Sequence, residues 1–329
     1  MTERKKIGLE DLLPTTEKVL ERAVHVSVND SYIQALAQRI TEFFSYFHDS
    51  LEIKGDDLKV DLQLIFVRNV VNFSFWPDPH KSRWMVKYFK NDCSYTNGGY
   101  DALEFCFERA IEKDGTKVLS PNFLTHITEG QTKFLFRGWQ ETEIPMLYER
   151  IQCLKNVGSV LLGEFKGKYL NVVEAAEFDA VKLVDLIAEK FASYYDVARF
   201  HSMRVPFFKR AQLCARDTDL ILRRYGKNGL KNIDKLTAFA DYKVPQILRE
   251  LNVLEYSESL KETIQRKKQI LRDDPMEVEI RAATVQAVER IRQFHNGKYL
   301  SSEIDSLLWK MTQEWDFKET YHRTRTIFY

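Results

Sequence analysis

One carboxylate stands where it could stabilise charge during a reaction. Asp241 lies in LTAFADYKVPQIL (residues 236–248), behind small and apolar residues and ahead of Pro245. Proline fits the first turn of a helix because its missing N–H is not needed there, so we predict a helix from about Pro245. Asp241 is then either an ordinary acid near a helix N-terminus, where negative charge is favoured, or a carboxylate that stabilises developing positive charge. With Val244 as the cap, Asp241 stands too early to cap this helix.

Two cations after a pair of phenylalanines, in VPFFKRAQLCARD, provide a second candidate group. Lys209 and Arg210 begin a predicted amphipathic helix that follows Pro206. Their charged ends are expected either to reach solvent along their apolar stems or, for Lys209, to pair with a carboxylate or a phosphate.

Aromatic residues make up 13% of the chain, and such rings serve both cores and flat ligands. FSFWPDP places Phe73, Phe75 and Trp76 at a predicted strand end, where alternation would send Trp76 to the face opposite the two phenylalanines. These rings are either core or the wall of a ligand site. Another acid, Asp305 in SSEIDSLLWKM, is expected in the first turn of a helix, where acids are favoured in any case.

Motifs for metals and cofactors are missing from the sequence. It contains no H-x-x-x-H or H-E-x-x-H pair, no G-x-S-x-G, no P-loop and no G-x-G-x-x-G. His48 follows an aromatic-rich helix end and is either a structural histidine or a ligand contact. We therefore predict no metal and no cofactor.

Helical periodicity covers most long segments. Apolar residues recur at helical spacing in residues 31–47, 182–201 and 276–294, which predicts three amphipathic helices. The β signal is confined to the first third, in the β-branched and aromatic run 59–76 and in 84–90, followed by a turn at NGGY. The predicted fold is compact and mainly α, with a small antiparallel β element in the N-terminal third.

Composition limits the class of protein. The chain has 329 residues and a net charge of +1, so no global field attracts nucleic acid. Four scattered cysteines without a C-x-x-C pair argue against a zinc site or a disulfide framework. We expect one domain over residues 1–329, with two lobes at about 1–140 and 141–329 as the alternative. We also expect a cytoplasmic monomer without membrane attachment or direct nucleic-acid binding.

Six blocks in order carry a resemblance to a known family. They are VNFSFWPDP, FFKRAQL, FADYKVPQIL, EIRAATVQAVE, SSEIDSLLW and YHRTRTIFY. Together they resemble the queuosine salvage proteins, which are queuosine 5′-phosphate N-glycosylases, over about residues 15–329. The resemblance implies a helical fold related to DNA glycosylases. It also implies hydrolysis of the bond between ribose C1′ and the base, with release of queuine that can return to tRNA.

The resemblance also implies roles for individual residues. Asp241 corresponds to the catalytic carboxylate and Lys209 to a second active-site group. Asp305 and, less directly, His48 correspond to base contacts, and Phe239 lines the base pocket. Further flat surface is expected from Phe75 and Trp76. Donors to the 5′-phosphate remain unranked among Lys209, Arg204, Arg210 and Tyr242.

The sequence departs from the family pattern at two positions. Ser306 follows the acid of the EID block, where the family often has an aromatic residue, and Lys310 follows the LLW tryptophan, where it often has an acid. Two other functions stay open: a glycosylase that acts on nucleic acid, and a non-catalytic protein that binds a modified nucleotide.

Overall fold

Helices form most of the molecule. The computed structural model describes residues 7–46, 55–90 and 93–329, and these contain fourteen α-helices. They are α1 (Leu12–Leu20), α2 (Asp30–Tyr46), α3 (Leu58–Val70), α4 (Gly99–Asp114), α5 (Pro121–Thr125), α6 (Glu129–Leu135), α7 (Leu147–Glu164), α8 (Tyr169–Ala175), α9 (Ala180–Lys190), α10 (Lys209–Arg224), α11 (Val244–Glu250), α12 (Glu258–Gln265), α13 (Pro275–Phe294) and α14 (Ser301–Glu314). The mainly α prediction is confirmed.

Short strands pair in three separate two-stranded antiparallel sheets within the described residues. The strands are β1 (Val26–Val28), β2 (Met85–Lys90), β3 (Cys93–Gly98), β4 (Val197–Phe200), β5 (Met203–Pro206) and β6 (Leu254–Tyr256). The hairpin β2–β3, with Tyr88 opposite Tyr95, is the antiparallel element predicted for the N-terminal third. The pairs β4–β5 and β1–β6 show that β structure is not confined to that third.

The prediction of a strand over residues 59–76 is wrong, because its first part is helix α3. Asp57 caps this helix, with its Oδ1 accepting the N–H of Lys59 at 2.8 Å. Leu62 to Val70 are almost all buried, against α7, α8 and α10. A helix that is buried over most of its length is stabilised by this packing, which overrides the β propensity of its branched side chains.

The predicted helix over 182–201 is correct only in its first part, since α9 ends at Lys190. A 3₁₀ turn, Ala192–Tyr194, follows and buries the Tyr194 ring against Phe66, with 5.7 Å between ring centroids. The chain then enters β4. Tertiary packing of one tyrosine thus ends a helix that periodicity alone would continue.

Other predicted elements are confirmed. The helices predicted at 31–47, as far as that segment is described, and at 276–294 correspond to α2 and α13.

The predicted turn at NGGY does not join the two strands of the hairpin. It ends β3 and starts α4, at Gly99 with φ of +68°, a conformation that favours glycine. No described helix is both long and apolar enough to span a membrane.

Buried side chains form two hydrophobic clusters. The larger one joins α3, α4, α7, α9 and α10, and the smaller one joins α2, α11, α13 and α14. Lys209 begins a helix of the larger cluster, whereas Asp305 belongs to a helix of the smaller one. The candidate site therefore lies where the two clusters meet. Whether the chain is one domain stays a prediction.

Candidate active site

A cavity of about 330 Å³ lies at this junction. Its volume falls within the range of about 300–1,000 Å³ that is usual for small-molecule sites. Segments far apart in sequence line it: residues 72–77, the start of α4, the first half of α10, residues 239–243, α14, and two tyrosines of the C-terminal segment. The lining includes Asp241, Lys209, Asp305, Phe239, Phe75, Trp76 and Tyr242. Seven of the eight site residues predicted from sequence thus converge on one cavity.

Asp241 lies at the beginning of α11 and is 6% exposed. Its Oδ1 accepts two backbone N–H bonds, from Lys243 at 2.7 Å and from Val244 at 3.0 Å. Asp241 is not the cap residue of α11, as expected, but the cap is Lys243 and not Val244, because α11 begins one residue earlier than Pro245. No described residue hydrogen-bonds to Oδ2. The carboxylate is thus fixed through one oxygen and keeps the other for a ligand.

Lys209 is the first residue of α10 and is 7% exposed. Phe208 before it adopts a left-handed conformation (φ 48°), which turns the chain into the helix. Within the described residues its ammonium has no ion-pair partner inside 4.0 Å. Burial lowers the pKa of Lys209, and the nearby charges of Asp241 and Asp305 partly oppose this effect. The expectation that Lys209 extends to solvent is wrong.

Asp305 lies in the second turn of α14, not in the first as predicted, and is 4% exposed. Its Oδ1 accepts the backbone N–H of Phe239 at 2.9 Å. Burial and the neighbouring charge of Asp241 raise the pKa of Asp305 to about 7, against the opposing effects of that N–H and of Lys209. Asp241 and Asp305 thus have different environments.

A buried ion pair positions both Asp241 and Lys209. Arg281 of α13 binds Asp196 through two bonds of 3.0 and 2.6 Å. Its Nε donates to the carbonyl of Ala240, directly before Asp241, at 3.2 Å. Asp196 Oδ2 also accepts the backbone N–H of Lys209 at 3.2 Å. One pair therefore links the backbones of both candidate catalytic residues.

The ring-bearing segment 71–76 is irregular, so strand alternation does not apply to it. Phe75 and Trp76 both line the cavity, which corrects the prediction of opposite faces. Arg150 holds the segment: its Nη2 donates to the carbonyl of Phe73 at 2.6 Å, and its guanidinium lies 4.2 Å from the Phe73 ring centroid. Tyr242 adds a ring that lies 5.1 Å from Tyr321. Burial raises the pKa of Tyr242, which keeps its hydroxyl protonated.

Three cations of the cavity, Arg83, Arg216 and Lys243, were not predicted. Arg83 and Lys243 line it, whereas two predicted phosphate donors do not. Arg210 is buried and donates to backbone carbonyls, including that of Asn69 at 3.0 Å. Arg204 is exposed on β5 and donates to the Tyr195 hydroxyl.

Burial, and next the charge of Arg83, lower the pKa of Lys243, with partial opposition from Asp241. Arg83 makes no ion pair or side-chain hydrogen bond with another described residue. These two cations are therefore close to one another, and the carboxylates of Asp101 and Asp241 lie within electrostatic reach of Arg83 and Lys243, respectively. Lys243 follows Asp241 by two positions and could have been found from that proximity, whereas nothing in the sequence marks Arg83.

The remaining predicted positions divide into two groups. His48 lies outside the described residues, so its role stays a prediction. Ser306 and Lys310, where the chain departs from the family pattern, both line the cavity. Over the described ranges, no group of three histidine, cysteine or acidic side chains is arranged to hold a metal ion.

The fold and cavity define a class: a helical protein with a small-molecule pocket that is lined by carboxylates, lysines and aromatic rings. The family profile described as queuosine salvage protein matches residues 51–329. The chain belongs to the queuosine salvage protein family.

Similar proteins agree with this assignment. One from Sphaerobacter thermophilus is 36% identical over 328 residues, covering 97% of each chain. One from Mus musculus is 34% identical, covering 90% of this chain and 89% of its own. One from Schizosaccharomyces pombe is 29% identical, covering 92% of this chain and 93% of its own. Each bears the name queuosine 5′-phosphate N-glycosylase/hydrolase.

Proposed function

We propose that this chain hydrolyses the N-glycosidic bond of queuosine 5′-phosphate and releases queuine, which can return to tRNA. The observation that carries the proposal is the buried Asp241, held through Oδ1 while Oδ2 has no partner among the described residues, beside a lysine in a cavity of about 330 Å³. The names of the similar proteins support the substrate. A cytoplasmic location and a monomeric state stay predictions.

Asp241 is the catalytic carboxylate in this proposal. Glycosidic cleavage passes through an oxocarbenium-like transition state, and an ionised carboxylate beneath C1′ stabilises that cation. The same oxygen accepts a proton from the attacking water. A positioned general base contributes about 10²–10⁴-fold. Lys209 lies within electrostatic reach of Asp241.

In this proposal the base lies against aromatic rings and against the carboxyl group of Asp305. Phe239, Trp76 and Phe75 supply flat surface, and Asp305 contacts the polar edge of the base. His48 adds a base contact if it follows the family pattern. Ser306 is too small to stack, so the rings of Tyr100 and Trp309, which contact each other edge to face at 5.9 Å and line the cavity, take over part of that surface.

The 5′-phosphate is assigned to Arg83 and Lys243. A phosphate between two cations neutralises their mutual repulsion, and charge-assisted hydrogen bonds are among the stronger ones in proteins. Lys243 follows Asp241 by two positions, so a phosphate bound to Lys243 would lie near the sugar that Asp241 contacts in this proposal. Tyr242 and Lys209 remain further donors.

The decisive test is incubation with queuosine 5′-phosphate, followed by chromatography of the products. We expect free queuine from the native protein and a loss of about 10²–10⁴-fold for Asp241→Asn. The asparagine Oδ1 can still accept both backbone N–H bonds, so the variant should fold, which circular dichroism checks. Native-like turnover by Asp241→Asn would remove this residue from the mechanism.

The same assay separates the two alternative functions. A non-catalytic binder would retain the nucleotide and yield no free base. A glycosylase acting on nucleic acid would bind DNA or RNA with an affinity that falls steeply with salt, which a gel shift detects.

A further inference from the structure

The departing base presents a chemical problem that Asp241 does not solve. When the C1′–N9 bond breaks, its electron pair leaves with the base. Queuine is a 7-deazaguanine, so the ring nitrogen at position 7, which could otherwise be protonated, is a carbon. Negative charge therefore spreads to the pyrimidine ring, and a proton donor must act there to lower the barrier.

We infer that Asp305 is the general acid that protonates the departing base, at N3 of its pyrimidine ring. This inference rests on the proposed function and adds a proton-transfer role to the edge contact. It is supported first by geometry. Asp305 is 4% exposed, lines the same cavity as Asp241, and has only Oδ1 engaged, by the N–H of Phe239 at 2.9 Å. No other described residue bonds Oδ2, which leaves that oxygen to carry the proton.

The charges around Asp305 favour its neutral form. Asp241 approaches from the segment before α11, and Lys209 and Arg216 approach from α10. Two acids share one buried lysine, and like charges in a buried site disfavour double ionisation. Because Asp241 is fixed by two backbone donors, Asp305 is the acid that retains a proton.

The other helices packed against α14 direct their charges elsewhere. Glu289 of α13 accepts a hydrogen bond from Ser301 at the start of α14, at 2.9 Å. Arg249 of α11 pairs with Glu319 at 2.6 Å. Among the charges that act on Asp305, those of Asp241, Lys209 and Arg216 are therefore the strongest. The pKa of Asp305, raised to about 7 chiefly by burial, is matched to proton donation near neutral pH, and pairs of acids separated in this way commonly divide acid and base roles.

The step balances as follows. The C1′–N9 bond breaks as Asp305 gives its proton to N3, so the base departs neutral. Water adds its oxygen to C1′ and gives one proton to Asp241. The products are ribose 5-phosphate and queuine, which tautomerises in water. Asp305 then carries the negative charge and Asp241 the proton, and exchange with solvent restores both.

The test compares two leaving groups. We expect Asp305→Asn to lose about 10²–10⁴-fold in kcat on queuosine 5′-phosphate. On 4-nitrophenyl β-ribofuranoside 5-phosphate, whose leaving group departs as a stable anion, the same variant should stay within about threefold of native, because no general acid is required. Asp241→Asn should lose activity on both substrates. Asp179→Asn is the matched control: this buried acid caps α9 outside the cavity, and both activities should be retained.

Equal losses of Asp305→Asn on both substrates, or no loss on either, would overturn the inference. The pH dependence of kcat is a second measurement. The active form is protonated, so the native rate should fall as pH rises through about 7, and Asp305→Asn should lack that decline. A decline retained in the variant would equally count against Asp305, and the pH profile decides alone if the nitrophenyl substrate is not accepted. A native protein that releases no queuine at all refutes the proposed function instead.

Discussion

Two buried arginines hold segments that line the cavity, and they do so in different ways. Arg281 on the reaction side is paired with Asp196 at 2.6 Å and lies 3.5 Å from Glu277, and it also holds the carbonyl of Ala240. Arg150 on the ring side binds only backbone carbonyls, such as that of Pro145 at 3.0 Å, with no acid partner among the described residues.

The two arginines thus have different roles: Arg281 belongs to a network of charges, whereas Arg150 fixes the conformation of the backbone. On the reaction side, a network of opposite charges fixes the backbone beside the candidate catalytic residues Asp241 and Lys209. On the ring side the arginine ties together the irregular segment of Phe73 and Phe75, and its guanidinium also lies over both rings, at 4.2 and 5.0 Å. Burial lowers the pKa of Arg150, in keeping with a cation that has only dipoles for partners.

The largest effect is expected from removing the reaction-side arginine. Arg281→Met leaves Asp196 and Glu277 as unpaired buried acids, so we expect a loss of about 3–5 kcal/mol in the free energy of unfolding, measured with urea. Arg290→Met is the control on the same helix. Its exposed pair with Asp30 should contribute only about 0–1 kcal/mol. Equal losses for the two variants would mean that the buried network does not hold this side.

A smaller loss is expected on the ring side. Arg150→Met leaves neutral carbonyls unpaired, which costs about 1–3 kcal/mol for a buried acceptor, less than leaving a charge unpaired. If the displaced rings stack on the base, as proposed, KM should rise roughly 10-fold, in line with about 1–3 kcal/mol for one stacked base, while kcat changes little. Lys155→Met on the same helix serves as control. A fall in kcat with unchanged KM would contradict the division between the two sides.

Some elements of the fold and the site can be predicted from the sequence, and others cannot. Long periodic helices such as α13 follow from pattern alone, but α3 does not, because its burial overrides branched side chains. Spacing cannot bring together Asp241, Lys209 and Asp305, which lie on separate elements, so their convergence was predicted only through family resemblance. Arg281 lies within the block EIRAATVQAVE, but nothing in that block identifies its partner Asp196, which lies 85 residues earlier.

Arg83 and Lys243 differ from both buried arginines. Arg281 and Arg150 direct their donors to protein atoms, whereas Arg83 is exposed and Lys243 half-buried at the cavity, with one long contact from Lys243 to Gln246 at 3.5 Å. Donors that the protein does not use are available to a ligand. If they bind the 5′-phosphate, Arg83→Ala should raise KM for queuosine 5′-phosphate by roughly 10-fold, since a hydrogen bond to a charged group is worth about 1.5–3 kcal/mol and exposure reduces it.

The nucleoside queuosine provides the internal control, because it lacks the phosphate and its KM should not change in Arg83→Ala. Lys243→Met should act in the same direction, and the double variant should reduce the preference for nucleotide over nucleoside further. High salt should weaken nucleotide binding by the native protein more than by the double variant, since screening acts on charges near solvent. An equal rise in KM for nucleotide and nucleoside would place these cations against the sugar or base. That result would contradict the proposal that Arg83 and Lys243 bind the 5′-phosphate.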